Sequence, residues 1–271
     1  AAYSERIHRL AVGFVPLDAV GGGRVAQPLR FEVEGPPPRP PAAPRAPYRK
    51  TAVRQVPPVV DRHDSCLHAL LYQPGLVPGT VDLRIYDHSR RFVPRRFRVP
   101  VLSVAEAEAR PGEDRVRRPA LFPGAACDLS ERSTGLRARV VRGGQPLRWA
   151  RVEARLDGSG ALVGRAQGDD RGEFVLVLAA AAAPLVELAN PLNVRVTVSG
   201  PAVEPVPATP SEPDQDPLWD LPVEVLPAPG AADPVSSGEA FPSGYVSTLT
   251  STRLVPFELG RLISAPDFVF A

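Results

Sequence analysis

The sequence predicts an all-β protein with two small β-sandwich domains, proline-rich linkers and an extended C-terminal tail. Short segments in which apolar and charged residues alternate recur along the 271 residues, and this is the period of strands with one buried face. Glycine and proline separate these segments, with 22 Gly and 34 Pro in the chain. Apolar residues still make up 44% of the sequence, which favours packed cores over disorder.

The first predicted domain spans residues 1–102. Within it, residues 29–33 and 81–87 alternate between apolar and polar side chains, which predicts strands. The segment 92–101 predicts a strand at a sheet edge, because its prolines cannot donate hydrogen bonds to a neighbour. Residues 35–47 are a proline-rich insertion of this domain, with an extended polyproline-like conformation expected. Its PxxP spacing is more often found in linkers than in recognition motifs.

A charged linker is predicted over residues 103–118, because acidic and basic side chains dominate and Pro111-Gly112 interrupts any helix. The second β-sandwich is predicted over residues 119–200. Its alternating strands are separated by three turn signals, at Gly143-Gly144, Asp157-Gly158 and Asp169 to Gly172.

The order of strands and turns in this second domain resembles the carboxypeptidase regulatory-like, or transthyretin-like, β-sandwich family. The residues that match the family pattern are Gly144, Pro146, Leu147, Ala150, Val152, Asp170, Gly172, Phe174 and Val194. The resemblance covers about 65 residues and implies an adaptor module without an active site of its own.

Residues 201–271 are predicted to form an extended tail, proline-rich at its start and apolar at its end. An apolar C-terminus must pack on the chain's own core or on a partner. For Trp219 a packing role and a docking role are equally expected, since Trp is enriched at binding hot spots. Because extended segments become ordered against neighbouring proteins, we favour a role in binding a partner. The predicted partner-binding residues are Arg95, Arg96, Leu218, Trp219, Leu221, Phe257, Leu262, Phe268 and Phe270.

Little in the sequence indicates chemistry. Two His and a Cys within His63–His68 suggest a metal site or a nucleophile, but no second ligand cluster and no nucleophile elbow accompany them. Asp169-Asp170 with Glu173 lacks the spacing of a calcium loop and is explained by the turn. We therefore predict no catalytic residues, no metal and no cofactor. A disulfide between Cys66 and Cys127 remains open.

Charge and hydropathy limit the partners. The net charge of +2 gives no case for nucleic acid, and the densest basic run, Arg90–Arg98, is better explained as an ion-paired edge. The first residues lack the apolar run of a secretion signal, and no stretch approaches the length of a membrane span. We expect cytoplasmic synthesis and no membrane insertion.

The second domain together with the segment Arg90–Arg96 also resembles proteins encoded with bacterial phage-tail-like contractile injection systems. This resemblance implies a non-enzymatic structural subunit at the cap, baseplate or sheath end of a cytoplasmic or released particle. The expected partners are sheath, tube or baseplate proteins, with a homo-oligomer within the particle. Two alternatives stay open: an adaptor that binds a glycan or peptide, and a hydrolase that uses His63–His68.

Overall fold

The computed structural model describes residues 9–35, 58–63, 67–178 and 191–270. Within these ranges the regular secondary structure is almost entirely β-strand, with two short α-helices and one 3-10 helix, which confirms the all-β prediction. Most of the proline-rich insertion at 35–47, together with Cys66, lies outside the described residues. No described helix is long and apolar enough to cross a membrane.

The N-terminal unit contains two four-stranded sheets and one two-stranded sheet. Its strands are β1 (Leu10–Phe14), β2 (Leu17–Asp18), β3 (Arg30–Val33), β4 (Val60–Arg62), β5 (His68–Leu71), β6 (Gly79–Tyr86), β7 (Arg95–Val101), β8 (Val116–Arg117) and β9 (Ala120–Leu121). One sheet has the order β4-β5-β1-β8, and β2 pairs with β9. The other contains β7-β6-β3, and its alternating apolar residues pack on the first sheet in one core.

The segment 103–118 belongs to this N-terminal unit, contrary to the prediction of a linker. Ser103 and Glu106 form a reciprocal capping box that starts helix α1 (Val104–Glu108). A 3-10 helix (Gly112–Arg115) follows, and β8 then pairs in parallel with β1. The many charges are tolerated because most lie on these short helices, while Arg117 is buried and donates to the carbonyl of Pro227.

The second unit is a β-sandwich that uses the three predicted turns. Its first strands are β10 (Gly135–Arg142), β11 (Gln145–Pro146), β12 (Arg151–Leu156), β13 (Leu162–Gln167), β14 (Glu173–Val177) and β15 (Leu192–Pro201). Gly143 and Gly144 both adopt positive φ, as a two-residue hairpin turn requires. Gly172 also has positive φ, and a Cβ there would lie 2.5 Å from the carbonyl oxygen of Val140. Glycine at position 172 is therefore demanded by the close approach of two backbones.

The C-terminal residues complete both units instead of extending as a tail. After helix α2 (Glu212–Gln215), the remaining strands are β16 (Val223–Val225), β17 (Tyr245–Phe257), β18 (Leu262–Ser264) and β19 (Phe268–Phe270). Strand β16 pairs in parallel with β7 of the N-terminal unit, so β7 is not an edge strand. The pairing covers Arg96 to Arg98 and leaves Pro94 and Pro100 outside it.

The last three strands belong to the second unit. β17 pairs along its length with β15, giving the order β13-β12-β15-β17, and β18 and β19 both pair with β10 on the facing sheet. Of the two alternatives for the apolar C-terminus, the structure therefore shows packing on the chain's own core.

Candidate partner-binding site at the junction of the two units

The crossing segment, residues 201–244, runs from the second unit to the N-terminal unit and back. It leaves β15, contributes β16 to the N-terminal unit and returns to the second unit at β17. Its charged residues are all acidic, with no Lys, Arg or His: Glu204, Glu212, Asp214, Asp216, Asp220, Glu224, Asp233 and Glu239. Both units offer arginine to it, so the segment acts as an electrostatic brace.

A buried ionic centre lies where β7, β16 and β12 meet. The Glu224 carboxylate accepts from Arg95 Nε at 3.0 Å and Nη2 at 2.6 Å, and from Arg151 Nη2 at 3.3 Å. Arg95 is completely buried, and its remaining N–H groups donate to the carbonyls of Ala120, Val235 and Ser236. All five donors of this guanidinium are satisfied, which is the condition for burying such a charge.

Trp149 forms a second anchor at the junction. Its indole N–H donates to Asp220 Oδ1 at 2.8 Å, and Arg148 Nη2 donates to the same oxygen at 2.6 Å. The backbone of Trp149 has a φ of 59°, which is uncommon for a non-glycine residue. The Trp149 side chain packs in a small apolar cluster with Val93 and Leu221.

The Trp149 carbonyl is held from two sides. It accepts from the Tyr245 hydroxyl at 2.7 Å and from Arg151 Nη1 at 3.0 Å. Burial raises the pKa of Tyr245 to about 12, against the opposing charge of Arg151, so the hydroxyl keeps its donor proton at neutral pH. Tyr245 thereby links the start of β17 to the tryptophan anchor.

Further ion pairs extend the brace over both units. Asp216 pairs with Arg84 at 2.6 Å, Asp233 with Arg117 at 3.4 Å, and Glu239 with Arg165 at 3.7 Å. The exposed members contribute little each, and the buried centre around Glu224 fixes the geometry. In contrast, no ion pair of Glu204, Glu212 or Asp214 is formed with any described residue.

A groove of about 380 Å³ opens beside this junction. Prolines and aromatic rings form much of its wall, which includes Pro146, Pro205, Trp219 and Tyr245. The charged residues at the same surface are Arg148, Glu204 and Asp220. Trp219 is half-buried. Its indole N–H donates to no described residue, whereas the indole N–H of Trp149 donates to Asp220. We refer to this feature as the Trp219 groove.

The residues singled out for chemistry are placed as follows. His68 is buried on β5, and its ring stacks on Phe31 with 4.0 Å between centroids. Burial, assisted by the charge of Arg62, lowers the pKa of His68 to about 4, so the ring is neutral at pH 7. Asp64, Ser65 and Cys66 lie outside the described residues, and Cys127 is a free thiol. Across the described ranges, no group of three His, Cys, Asp or Glu side chains converges to hold a metal ion.

The acidic turn at 169–173 is explained by backbone capping. Asp169 Oδ1 accepts from the backbone N–H groups of Arg171 and Glu173, at 2.8 and 3.0 Å. Burial raises the pKa of Asp169 above its usual range despite these two bonds. Asp170 pairs with both terminal nitrogens of Arg90. The turn therefore joins the second unit to the loop after β6.

Five predicted partner-binding residues require correction, because they are buried inside this chain. Phe257, Phe268 and Phe270 fill the core of the second unit, where alternation along β17 and β19 turns them inward. Leu221 packs in the junction cluster, and Arg95 belongs to the ionic centre. None of the five presents a surface to a neighbouring subunit.

The other four predicted residues keep some exposure. Leu262 is 39% exposed, and Leu218 and Trp219 are half-buried at the junction. Arg96 pairs with Glu34 and donates to the carbonyl of Leu221, so its guanidinium is largely committed within the chain. For Leu218, Trp219 and Leu262 a partner contact stays a prediction.

The central residues of the junction were not predicted from the sequence: Trp149, Arg151, Asp220, Glu224 and Tyr245. A signal for them exists, since residues 201–244 carry acidic residues without basic ones, while nearly all cationic residues elsewhere are arginine.

Searches against known protein families, curated proteins and solved structures found no match for this chain.

Proposed function

We propose that this chain is a non-enzymatic structural subunit of a phage-tail-like contractile injection particle, located at its cap, baseplate or sheath end. The observation that carries the proposal is strand β17, which is 13 residues long and forms the edge of its sheet. Among the described residues, β17 pairs with β15 alone. Its other edge has no strand partner within the described ranges, so its backbone groups are a template for a strand of a neighbouring subunit.

This edge lacks the usual protection. Edge strands that avoid pairing carry prolines or outward charges. From Tyr245 to Phe257 the sequence has one charge, Arg253, and one proline, Pro256, near its end. The Arg253 guanidinium donates to the carbonyls of Pro266 and Asp267 and lies 4.5 Å from the ring centre of Phe268, so it is engaged inside the unit.

The braced junction supports the same role. A subunit that transmits force needs its two halves held in one orientation, and the ionic centre around Glu224 ties both units to one segment. The residues that resemble the carboxypeptidase regulatory-like family also occupy structural positions. Ala150, Val152 and Phe174 lie in the core, while Gly144 and Gly172 form turns. An adaptor module without catalytic residues is consistent with this arrangement.

The test is incorporation into particles. The gene is replaced in producing cells by a variant carrying Thr252→Lys and Leu254→Lys, which places two charges on the edge strand. We expect the natural chain to sediment with sheath and tube proteins, and the variant to remain free while unfolding at an unchanged temperature. The matched control carries Val59→Lys and Val77→Lys, at exposed sites of the N-terminal unit. Absence of the natural chain from purified particles would overturn the proposal.

A peptide-binding adaptor is the second candidate, and the Trp219 groove favours it. Aromatic residues and prolines that line a groove are typical of peptide recognition. The two functions are compatible, because the groove meets β17 at its first residue, Tyr245, whereas Thr252 and Leu254 of the edge strand do not line the groove.

A further inference from the structure

We infer that the Trp219 groove is a binding site for an extended, proline-rich peptide segment of another protein, with arginine side chains that pair with the acidic crossing segment. The inference rests on the lining, the hydrogen-bonding capacity and the charge of the groove. It does not depend on membership in an injection particle.

The lining matches the shape and chemistry of a polyproline helix. Such a helix is extended, has three residues per turn and offers flat pyrrolidine rings to a partner. Rings of this kind pack between aromatic side chains, which are rigid and lose little entropy on binding. Trp219 and Tyr245 provide these walls, with Pro146 and Pro205 beside them. The volume of about 380 Å³ suits a few residues of peptide rather than a whole folded domain.

The groove also offers the right hydrogen-bonding group. A proline-rich peptide has backbone carbonyls to accept hydrogen bonds and few N–H groups to donate. Its binding site therefore needs donors. The indole N–H of Trp219 donates to no described residue, whereas the indole of Trp149 is already bonded to Asp220. Trp219 is thus the described tryptophan that remains able to donate to a ligand.

The charge of the crossing segment selects a basic ligand. Glu204 lines the groove together with Arg148, whose guanidinium already pairs with Asp220, and Glu212 and Asp214 lie on α2 of the same segment. These carboxylates have no ion-pair partner in the described ranges, although the other five acids of the segment pair with arginine. A segment that binds arginine in five places and keeps three further carboxylates unpaired favours an arginine-bearing partner.

The first test measures peptide affinity by fluorescence polarisation with the full chain. The probe is a labelled peptide of the sequence Pro-Pro-Pro-Arg-Pro-Pro-Ala-Ala-Pro-Arg-Ala-Pro, which occurs in this chain at Pro36–Pro47 and has the required composition. The matched control peptide carries Arg39→Glu and Arg45→Glu. We expect saturable binding of the probe, about 10-fold weaker or absent binding of the control, and loss of affinity as salt rises from about 50 to about 500 mM.

Variants of the chain locate the site. Trp219→Ala should weaken binding by about 10-fold or more, and Glu204→Arg by several-fold. Trp219→Phe keeps the packing but removes the donor, so we expect an intermediate affinity and loss of the shift in tryptophan emission on binding. Val77→Ala, at an exposed site of the N-terminal unit, is the control that should bind like the natural chain. Each variant is compared at equal folded fraction, measured by thermal unfolding.

Three outcomes would overturn the inference. One is absence of binding at up to about 1 mM probe. Another is equal affinity of the natural chain and Trp219→Ala. The third is binding that appears only after residues 36–47 of the chain are replaced by a Gly/Ser linker of the same length. That result would assign the groove to this chain's own segment and not to a partner.

Discussion

The Glu224 carboxylate and the Arg95 guanidinium form a bidentate ion pair that is almost completely excluded from solvent. The hydrogen bonds from Arg95 Nε and Nη2 to the carboxylate measure 3.0 and 2.6 Å. The side chain of Arg95 is 0% exposed and that of Glu224 is 1% exposed. The paired residues are 129 positions apart in the sequence. The pair therefore joins strand β7 of the N-terminal unit to the crossing segment, and it specifies the position of that segment.

Replacing Glu224 tests this role directly. Glu224→Gln leaves Arg95 and Arg151 charged and buried without a carboxylate, and we expect a loss of about 3–5 kcal/mol in the free energy of unfolding. Urea denaturation followed by fluorescence measures it. The control is Glu153→Gln, which removes a carboxylate from the pairs with Arg155 and Arg165 near the surface and should cost less than about 1 kcal/mol. Equal losses in both variants would contradict the ionic centre.

The C-terminal strands should prove essential for the second unit. Phe268 is fully buried, contacts the ring of Phe174 with 5.7 Å between centroids, and lies under the Arg253 guanidinium. We expect Phe268→Ala to destabilise the chain by about 3–5 kcal/mol, through lost burial and the cavity it leaves. Val269→Ala, at a neighbouring position that is 60% exposed, should stay within about 0.5 kcal/mol. A loss of less than about 1 kcal/mol for Phe268→Ala would contradict the packing of the C-terminal strands on the core and favour an extended tail.

Trp149 and Asp220 should be coupled energetically. A double-mutant cycle with Trp149→Phe and Asp220→Ala removes the indole hydrogen bond from either side. Because this bond joins a buried donor to a charged acceptor, we expect a coupling energy of about 1–3 kcal/mol. Arg148→Ala, combined with Trp149→Phe, serves as the comparison, since these two side chains share the acceptor. Additive effects of Trp149→Phe and Asp220→Ala would show that the bond does not hold the junction.

Local patterns predicted much of the fold. Strand alternation and the Gly-Gly, Asp-Gly and Asp-to-Gly turns predict the strands on either side of each turn, because each pattern depends on neighbouring residues. The bounds 119–200 leave out β17, β18 and β19, which complete the unit. Trp149 is an exception, because it precedes β12 and has positive φ. Its interactions with Asp220 and Tyr245 override local preference. No periodicity in residues 145–156 indicates that conformation.

The C-terminal segment shows where local reasoning fails. The proline content predicts an extended tail over residues 201–271. Of these, residues 201–244 contain only the short elements α2 and β16, whereas the 13-residue strand β17 follows them. The proline pattern does not show that this extended segment is held between the two units, because that depends on its carboxylates pairing with buried arginines. Pairing of Glu224 with Arg95 and Arg151 links residues 129 and 73 positions apart. Such pairs leave no periodic signal in the sequence. The acidic residues of the segment, without any basic ones, are the feature that indicates pairing with arginine.

His68 should make stability fall in acid. Its folded-state pKa is about 4, while an unfolded histidine has a pKa of 6.5. Below pH 6.5 the unfolded chain binds a proton that the folded chain does not, so unfolding becomes easier as pH falls. The free energy of unfolding is expected to fall by up to about 1.4 kcal/mol per pH unit. This fall ends near pH 4, where the ring in the folded chain also becomes charged.

The His68 effect is isolated by comparing variants across this pH range. His68→Phe keeps an aromatic ring against Phe31 and removes the titration, so its stability should change less between pH 6.5 and 4 than that of the natural chain. Asp169, whose pKa is raised by burial, contributes in the opposite direction, but it is common to both proteins and cancels in the difference. His88→Gln is the matched control, because His88 is exposed beside Tyr86. Parallel pH profiles for the natural chain and His68→Phe would show that burial of this ring is not coupled to protonation.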